Sequence, residues 1–513
     1  MTKIHTAALG AALATLSMTA SAVPAQAQQD TRDTLRVAMY SKAPPRGNPY
    51  AIQYIWPSNY WWEGVFDSFV RINDKAEILP FAAEKWELVN PTTHRVTFRK
   101  DAIFTSGRAN TADNVVKIFD YLHSEAGKPA GIMRNMKLAS YKAIDAQTVE
   151  FVTQQPDPLL IPKFAAFYIA DMKSFNEMGA GVFASKPVSS GPYQVQSWTD
   201  QEMTATAYDK SWRQPKIKNL RIVEIPELAS RVAAVESGQM DIAINLTPDD
   251  MARLKAAGHD VAITNGPLVE AVALFMPDFA NKWGGKAPFS DKRMRLAANL
   301  AFNRDAFVKD FYKGVARPAS QPATPSINGY NPDVKPYPYD PARAKQLMAE
   351  AGYPNGLKLI MESSGGIAGG RETLQIIAND LAKVGIEVEV RVMPFATWSQ
   401  LFNGKKWEGD LTTFAMFHSP VMDAGVVFSV YGCGLPHSMT CIPELNDLIA
   451  RAETEMDPVK RKALLQELMK RSHEEVLAMP IIDGVDITGV AKRVKGFQNW
   501  GRIVVYENMT LQN

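Results

Sequence analysis

The hydrophobic pattern switches between two periods along the chain. Short runs rich in Val, Ile and Phe predict strands at TLRVAMY (34–40), HRVTFRK (94–100), QTVEFVT (147–153) and NLRIVEIP (219–226). Further runs lie at MDIAINL (240–246), EAVALFM (270–276), LKLIMES (357–363), IEVEVRVM (386–393) and from Asp410 to Met416. Between them the spacing becomes helical. Val115, Ile118, Phe119 and Leu122 fall at i, i+3, i+4 and i+7 behind Thr111, a good N-cap. In DPARAKQLMAEAG (340–352), Asp340 caps, Pro341 opens the first turn and Gly352 follows the end, with Ala344, Leu347, Met348 and Ala351 as the apolar stripe. The stretch 457–476 repeats the Asp-Pro start, and 227–238 ends on Gly238 before the strand at Met240. Alternating strands and helices predict an α/β fold. The Pro-rich segment from Lys313 to Tyr339 can be neither helix nor central strand and reads as a long ordered loop.

The first residues follow a different logic. Lys3, the apolar stretch 7–20 and the AQA at 25–27 have the layout of a secretory signal cleaved near Ala27. The apolar stretch is short and rich in Ala, Ser and Thr for a membrane anchor, and no later stretch approaches a span. Residues 28–513 are too many for one compact core and call for two or three domains. The 56 basic and 54 acidic residues nearly cancel, so no electrostatic pull toward nucleic acid or anionic membrane is expected.

Candidate chemistry is sparse. Cys433 and Cys441 flank a Gly- and Pro-containing loop, and export favours a disulfide over free thiols. With His437 they would make only an incomplete metal set. HEEVL (473–477) lacks the second His of a metalloprotease motif. GGIAGGRE (365–372) has Arg371-Glu372 where a phosphate loop needs Lys-Ser/Thr, so it reads as a turn or as a helix start able to hold an anion. In FAMFHSPVMDAGVV (414–427) a strand ends abruptly in His418, Ser419, Pro420 and Asp423. His418 is either an ordinary hydrogen-bonded histidine or a contact to a bound molecule. A lone His is a poor metal site.

The order of several segments resembles the extracytoplasmic solute-binding proteins of ABC importers, in the peptide/nickel/opine group (family 5). They are EGVFDSFVRINDKAEILPFAAEKWEL (63–88), HRVTFRKDAIFTSGRANTADNVV (94–116), SSGPYQVQSW (189–198, with Ser190 for Thr) and SRVAAVESGQMDIA (230–243). PFSDKRMRLAANLAFNRDAF (288–307, with Met294 for Val), DPARAKQLMAEAGYPNG (340–356) and the Cys pair followed by PELNDLIARA complete the set.

The resemblance implies a two-lobed periplasmic binding protein, class II-like and of cluster C. Lobe 1 would comprise 28–72, 195–282 and 484–513, with 73–194 as an inserted subdomain; lobe 2 would be 283–483. Crossings near Ala280 and Gly484 would form the hinge. The expected protein is a periplasmic monomer without cofactor or metal. It would capture a small solute (oligopeptide, opine or sugar conjugate) and deliver it to an inner-membrane permease and ATPase. A ligand sensor or chaperone-like protein, and a hydrolase on the same scaffold, are the alternatives.

The resemblance also carries site residues. Where peptide binders place an Asp for the ligand ammonium stands Ser419, with His418 beside it; where dipeptide binders place an Arg for the carboxylate stands Ser364. Asp423 and Arg371 are possible substitutes. Tyr60, Trp398 and Phe417 are expected to supply apolar walls, Tyr60 being freer than its neighbours Trp61, Trp62 and Phe66. A buried charged terminus needs more than one hydroxyl. A neutral or capped ligand therefore suits two serines better than a zwitterionic dipeptide.

Overall fold

The computed structural model describes residues 33–43, 46–51, 57–127, 136–274, 287–365, 370–394, 397–398, 400–401, 406, 408–430, 433 and 442–512. The helix signals translate directly. Ala112–His123 begins behind Thr111, whose hydroxyl accepts from the Asn114 N–H, and buries Val115, Ile118, Phe119 and Leu122. Pro341–Glu350 and Pro458–Glu474 start behind Asp340 and Asp457, whose carboxylates take first-turn N–H groups. Leu228–Glu236 is closed by Gly238 in the left-handed region.

The main sheet runs through the whole molecule. In order its strands are Tyr193–Trp198, Glu202–Ala207, Asn219–Glu224, Thr34–Met39, Ile242–Ala243, Met479–Val490, Asp260–Leu274, Leu411–Phe417, Leu357–Ser363 and Ile386–Val392. Thr34–Met39 is parallel to both of its neighbours, and so is Leu357–Ser363. The short Arg317–Pro318 strand of the Pro-rich segment pairs beside this path against Met479–Val490, and further along the segment Asn328 bridges to Asp423. A separate antiparallel sheet (Ala83–Asn90, Thr93–Phe98, Thr148–Thr153, Leu138–Ala143) packs under Ala112–His123, with Phe119 against Phe151 at 5.1 Å.

Two long strands join the halves. Asp260–Asn265 pairs with Val485–Val490, and Val269–Val272 pairs with Met479–Asp483. Between these stretches the register breaks at Asn265/Val269, opposite Gly484. Both strands need glycine here. A Cβ on Gly266 would lie 2.8 Å from the Gly484 carbonyl oxygen, and one on Gly484 would lie 2.4 Å from the Leu268 side chain. Ala280, near which the other crossing is expected, lies outside the described residues.

Buried apolar side chains form two clusters. One apolar cluster gathers Leu35, Trp62, Phe66, Phe98, Phe119, Ile222 and Tyr506; another gathers Val272, Phe302, Leu347, Leu359, Leu374, Ile377, Leu411 and Ile481. The first also takes in Met416, Met422 and Phe428, so apolar contact is continuous across the seam between the halves.

A buried ionic network ties the C-terminal tail to the first half. Arg213 bonds both Glu507 carboxylate oxygens (2.7 and 3.1 Å) and Asp67 (3.3 Å). Arg71 bridges Glu507 (2.7 Å) and Glu63 (2.6 Å). The Tyr168 hydroxyl donates to Glu63, and Ser190 and Trp212 donate to Asp67. Burial alone would raise the Glu507 carboxyl, but Arg213 and Arg71 outweigh it and bring it down to about 2.

Candidate functional site

Parallel strands place their C-terminal ends on one edge, and that edge is where ligands bind in open α/β sheets. In the second half Leu357–Ser363, Ile386–Val392 and Leu411–Phe417 run the same way. Their ends bring Ser364, the Trp398 segment and the His418–Asp423 loop to one side, together with the start of the Gly370–Ala382 helix. In the first half Thr34–Met39, Asn219–Glu224 and Ile242–Ala243 end at Tyr40, Ile225 and Ile244. Asp486 lies beside them on the adjoining strand, where the Leu246 N–H bonds the Ile487 carbonyl.

The His418–Asp423 loop is tightly held. Asp423 is buried, and Arg461 grips both of its oxygens at 2.5 and 2.8 Å. The Asn328 amide (2.8 Å) and the Gly425 N–H (2.8 Å) complete its shell. Asp423 therefore anchors its own loop, and its carboxylate is committed before any ligand arrives. His418 is fully buried. Its Nδ1–H donates to the Asp423 carbonyl at 3.1 Å, which fixes the tautomer. Burial lowers this imidazole below its ordinary value, only partly offset by the Asp423 and Pro322 carbonyls. Ser419 points to the other half: its hydroxyl donates to the Gly501 carbonyl at 2.8 Å.

The remaining expected residues scatter more widely. Trp398 is buried, and its indole N–H donates to the Thr412 hydroxyl at 3.0 Å. Ser364 is half-buried at the strand end, next to a Ser363–Thr413 hydroxyl pair at 2.6 Å. Arg371 is exposed in the first turn of its helix. Phe417 pairs through its backbone with Leu268, and its side chain lies outside the described set. Tyr60, expected to be freer than Trp61 and Trp62, is as deeply buried as they are, because it sits inside the short Asn59–Trp62 helix with its carbonyl accepting from the Tyr506 hydroxyl. Burial first, and then the Asp486 charge, push its phenol well above the usual range.

Asp486 and Arg502 were not legible as site residues. Arg502 faces Asp486 with bonds of 3.1–3.2 Å. Burial works against the Arg502 charge, but Asp486 outweighs it. The turn that carries Arg502 is pinned on both sides: its carbonyl accepts from Asn59 (2.7 Å) and its N–H donates to Asn499 (2.7 Å). The available signal was the run MPIIDGVDITGV, where two acids interrupt an apolar strand and need a cause. The first of them, Asp483, lies beside the register break. Burial pushes its carboxyl up to about 7 against Arg317 at 3.6 Å.

A surface concavity of about 590 Å³ lined by Arg46, Ser185, Lys186 and Gln196–Gln201 holds none of the expected site residues. Among the described residues no cluster of three His, Cys, Asp or Glu is arranged to hold a metal, and no helix is long and apolar enough to cross a membrane. Cys441 and residues 1–27 lie outside the described residues.

Comparison with known proteins converges on one group. The model of the bacterial extracellular solute-binding proteins, family 5 (middle region), matches residues 77–433. Heme-binding protein A of Haemophilus influenzae is 24% identical over 94% of both chains. The dipeptide-binding protein of Escherichia coli is 27% identical over 82% of this chain and 84% of its own. The periplasmic binding protein DppA of Helicobacter pylori, solved with the peptide STSA, superposes with a TM-score of 0.78 at 20% identity, covering 94% of this chain and 98% of that one.

Proposed function

Since the chain belongs to the bacterial extracellular solute-binding proteins of family 5, we propose that it closes its two halves on a small solute without a free ammonium terminus. It is the substrate-binding component of an ABC importer and a transport receptor, not a catalyst. The finer reading is an opine-like, sugar-conjugated or capped-peptide solute, held between the His418–Asp423 loop and the Tyr40–Asp486–Arg502 wall. Ser364, Arg371 and Trp398 would line the far side. The lobes divide as 28–72, 195–282 and 484–513 against 283–483, with 73–194 inserted into the first. The mature monomer starts after a signal cleaved near Ala27, works in the periplasm and carries a Cys433–Cys441 disulfide. That last point is supported by the absence of free cysteines among the described residues.

One observation carries the ligand class. Asp423 of the loop and Asp486 of the wall are each committed to a buried arginine, and the residue at the expected ammonium position is Ser419. Among the described residues of that loop and wall, a buried ammonium would find hydroxyl and carbonyl oxygens and no uncommitted carboxylate, a deficit of several kcal/mol. Calorimetry with alanyl-alanine and its N-acetylated form tests this. The acetylated form should bind more tightly to the natural protein, and Ser419→Asp should reverse the order. Tighter binding of the free dipeptide to the natural protein would contradict it.

A further inference from the structure

We propose that Ser419 is a positioning residue: its hydroxyl latches the two halves together and sets how much of the protein is closed before solute arrives. This rests on the two-lobed capture reading and goes beyond the anchor role that the resemblance gives this position. The bond from Ser419 Oγ to the Gly501 carbonyl, 2.8 Å, joins residues 82 apart that belong to opposite halves.

What distinguishes it from an incidental contact is how firmly both ends are held. On one side the loop is fixed by the Asp423–Arg461 pair, by the Met422 N–H on the His418 carbonyl, and by backbone bonds from Asn328 to Met422 and from Ala424 to Asn328. On the other, Gly501 and Arg502 form a left-handed turn (φ +59° and +78°) clamped by Asp486, Asn59 and Asn499. Neither partner has to be ordered when the halves meet, so little entropy opposes the bond. Another link between the halves, Lys313–Asp249 at 3.4 Å, is exposed on both sides and screened by solvent. The Gly501 carbonyl is also the acceptor that a ligand donor at this position would reach. A solute can therefore take over the latch by donating in place of the hydroxyl, and the bond is exchanged, not lost.

A closed state stabilised this way raises apparent affinity by enlarging the competent fraction. Removing one hydroxyl–carbonyl bond should lower the closed-to-open ratio of the empty protein about five-fold. The test is small-angle X-ray scattering on the mature chain, stripped of solute by unfolding with its disulfide intact and then refolded. Ser419→Ala should have a larger radius of gyration than the natural protein, and Ser419→Thr, which keeps the hydroxyl, should restore the natural value. Far-UV circular dichroism and the melting temperature identify a variant that has merely misfolded, in which case Ser419→Thr against its near-isostere Ser419→Val carries the comparison. Equal radii for the natural protein and Ser419→Ala overturn the latch. If the radii differ but neither protein contracts with N-acetyl-alanyl-alanine shown by calorimetry to be bound, the capture reading fails and the latch stands.

Discussion

Replacing Arg213 by alanine should cost about 3–5 kcal/mol of folding stability, the largest loss expected from one substitution in the first half. The guanidinium sits among Asp67, Glu507 and the Phe66 carbonyl, with Phe81 below it at 5.1 Å. Removing it leaves two buried carboxylates short of a partner, and desolvating a carboxylate is far more expensive than forming one surface ion pair. Arg71 still reaches Glu507, so the tail is loosened, not released. Denaturation in guanidinium chloride should move the midpoint down with little change in slope. The same network fixes a pH response. The folded Glu507 carboxyl lies at about 2, below its ordinary value of 4.5, so its contribution is complete above pH 4.5 and is lost as pH falls toward 2. Glu507→Gln should flatten the stability profile across that window.

Arg461→Ala should be equally severe for stability, about 3–5 kcal/mol, and should also damage solute binding. Arg461 donates twice to Asp423 and once to the Ala452 carbonyl, joining the loop to the Pro443–Thr454 helix. Gly425 is moulded to the pair: a Cβ there would lie 2.8 Å from the guanidinium and 3.0 Å from the carboxylate. Without Arg461, the loop that presents His418 and Ser419 must be ordered on binding. Immobilising those two side chains costs roughly a factor of ten in affinity. Calorimetry with N-acetyl-alanyl-alanine reads the affinity and thermal denaturation reads the stability. A stability loss with unchanged affinity would show that the loop keeps its shape unaided.

Local chemistry was legible and distant pairing was not. Thr111, Asp340 and Asp457 announced their helices because a cap acts on N–H groups two or three residues away. The joining strands hid their length. Asn265 and Gly266 interrupt Asp260–Leu274, so only its apolar end from Glu270 reads as strand, while Asp483, Gly484 and Asp486 break up Met479–Val490. Both strands exist because each covers the other. Asp423 reads as a free acid in sequence because Arg461 lies 38 residues on, inside a helix whose pattern gives no hint of what that side chain meets. Tyr60 was misjudged for a related reason: a four-residue helix is too short to show which face is buried. The resemblance pointed to the loop as a candidate, and the hydrogen bonds show what holds its members in place.

The central claim is capture by closure, and small-angle scattering with and without saturating N-acetyl-alanyl-alanine tests it most directly. The mature protein should contract on adding that solute and expand when it is removed, with the melting temperature rising alongside by mass action. An unchanged radius of gyration, with saturating solute shown to be bound, would contradict the account.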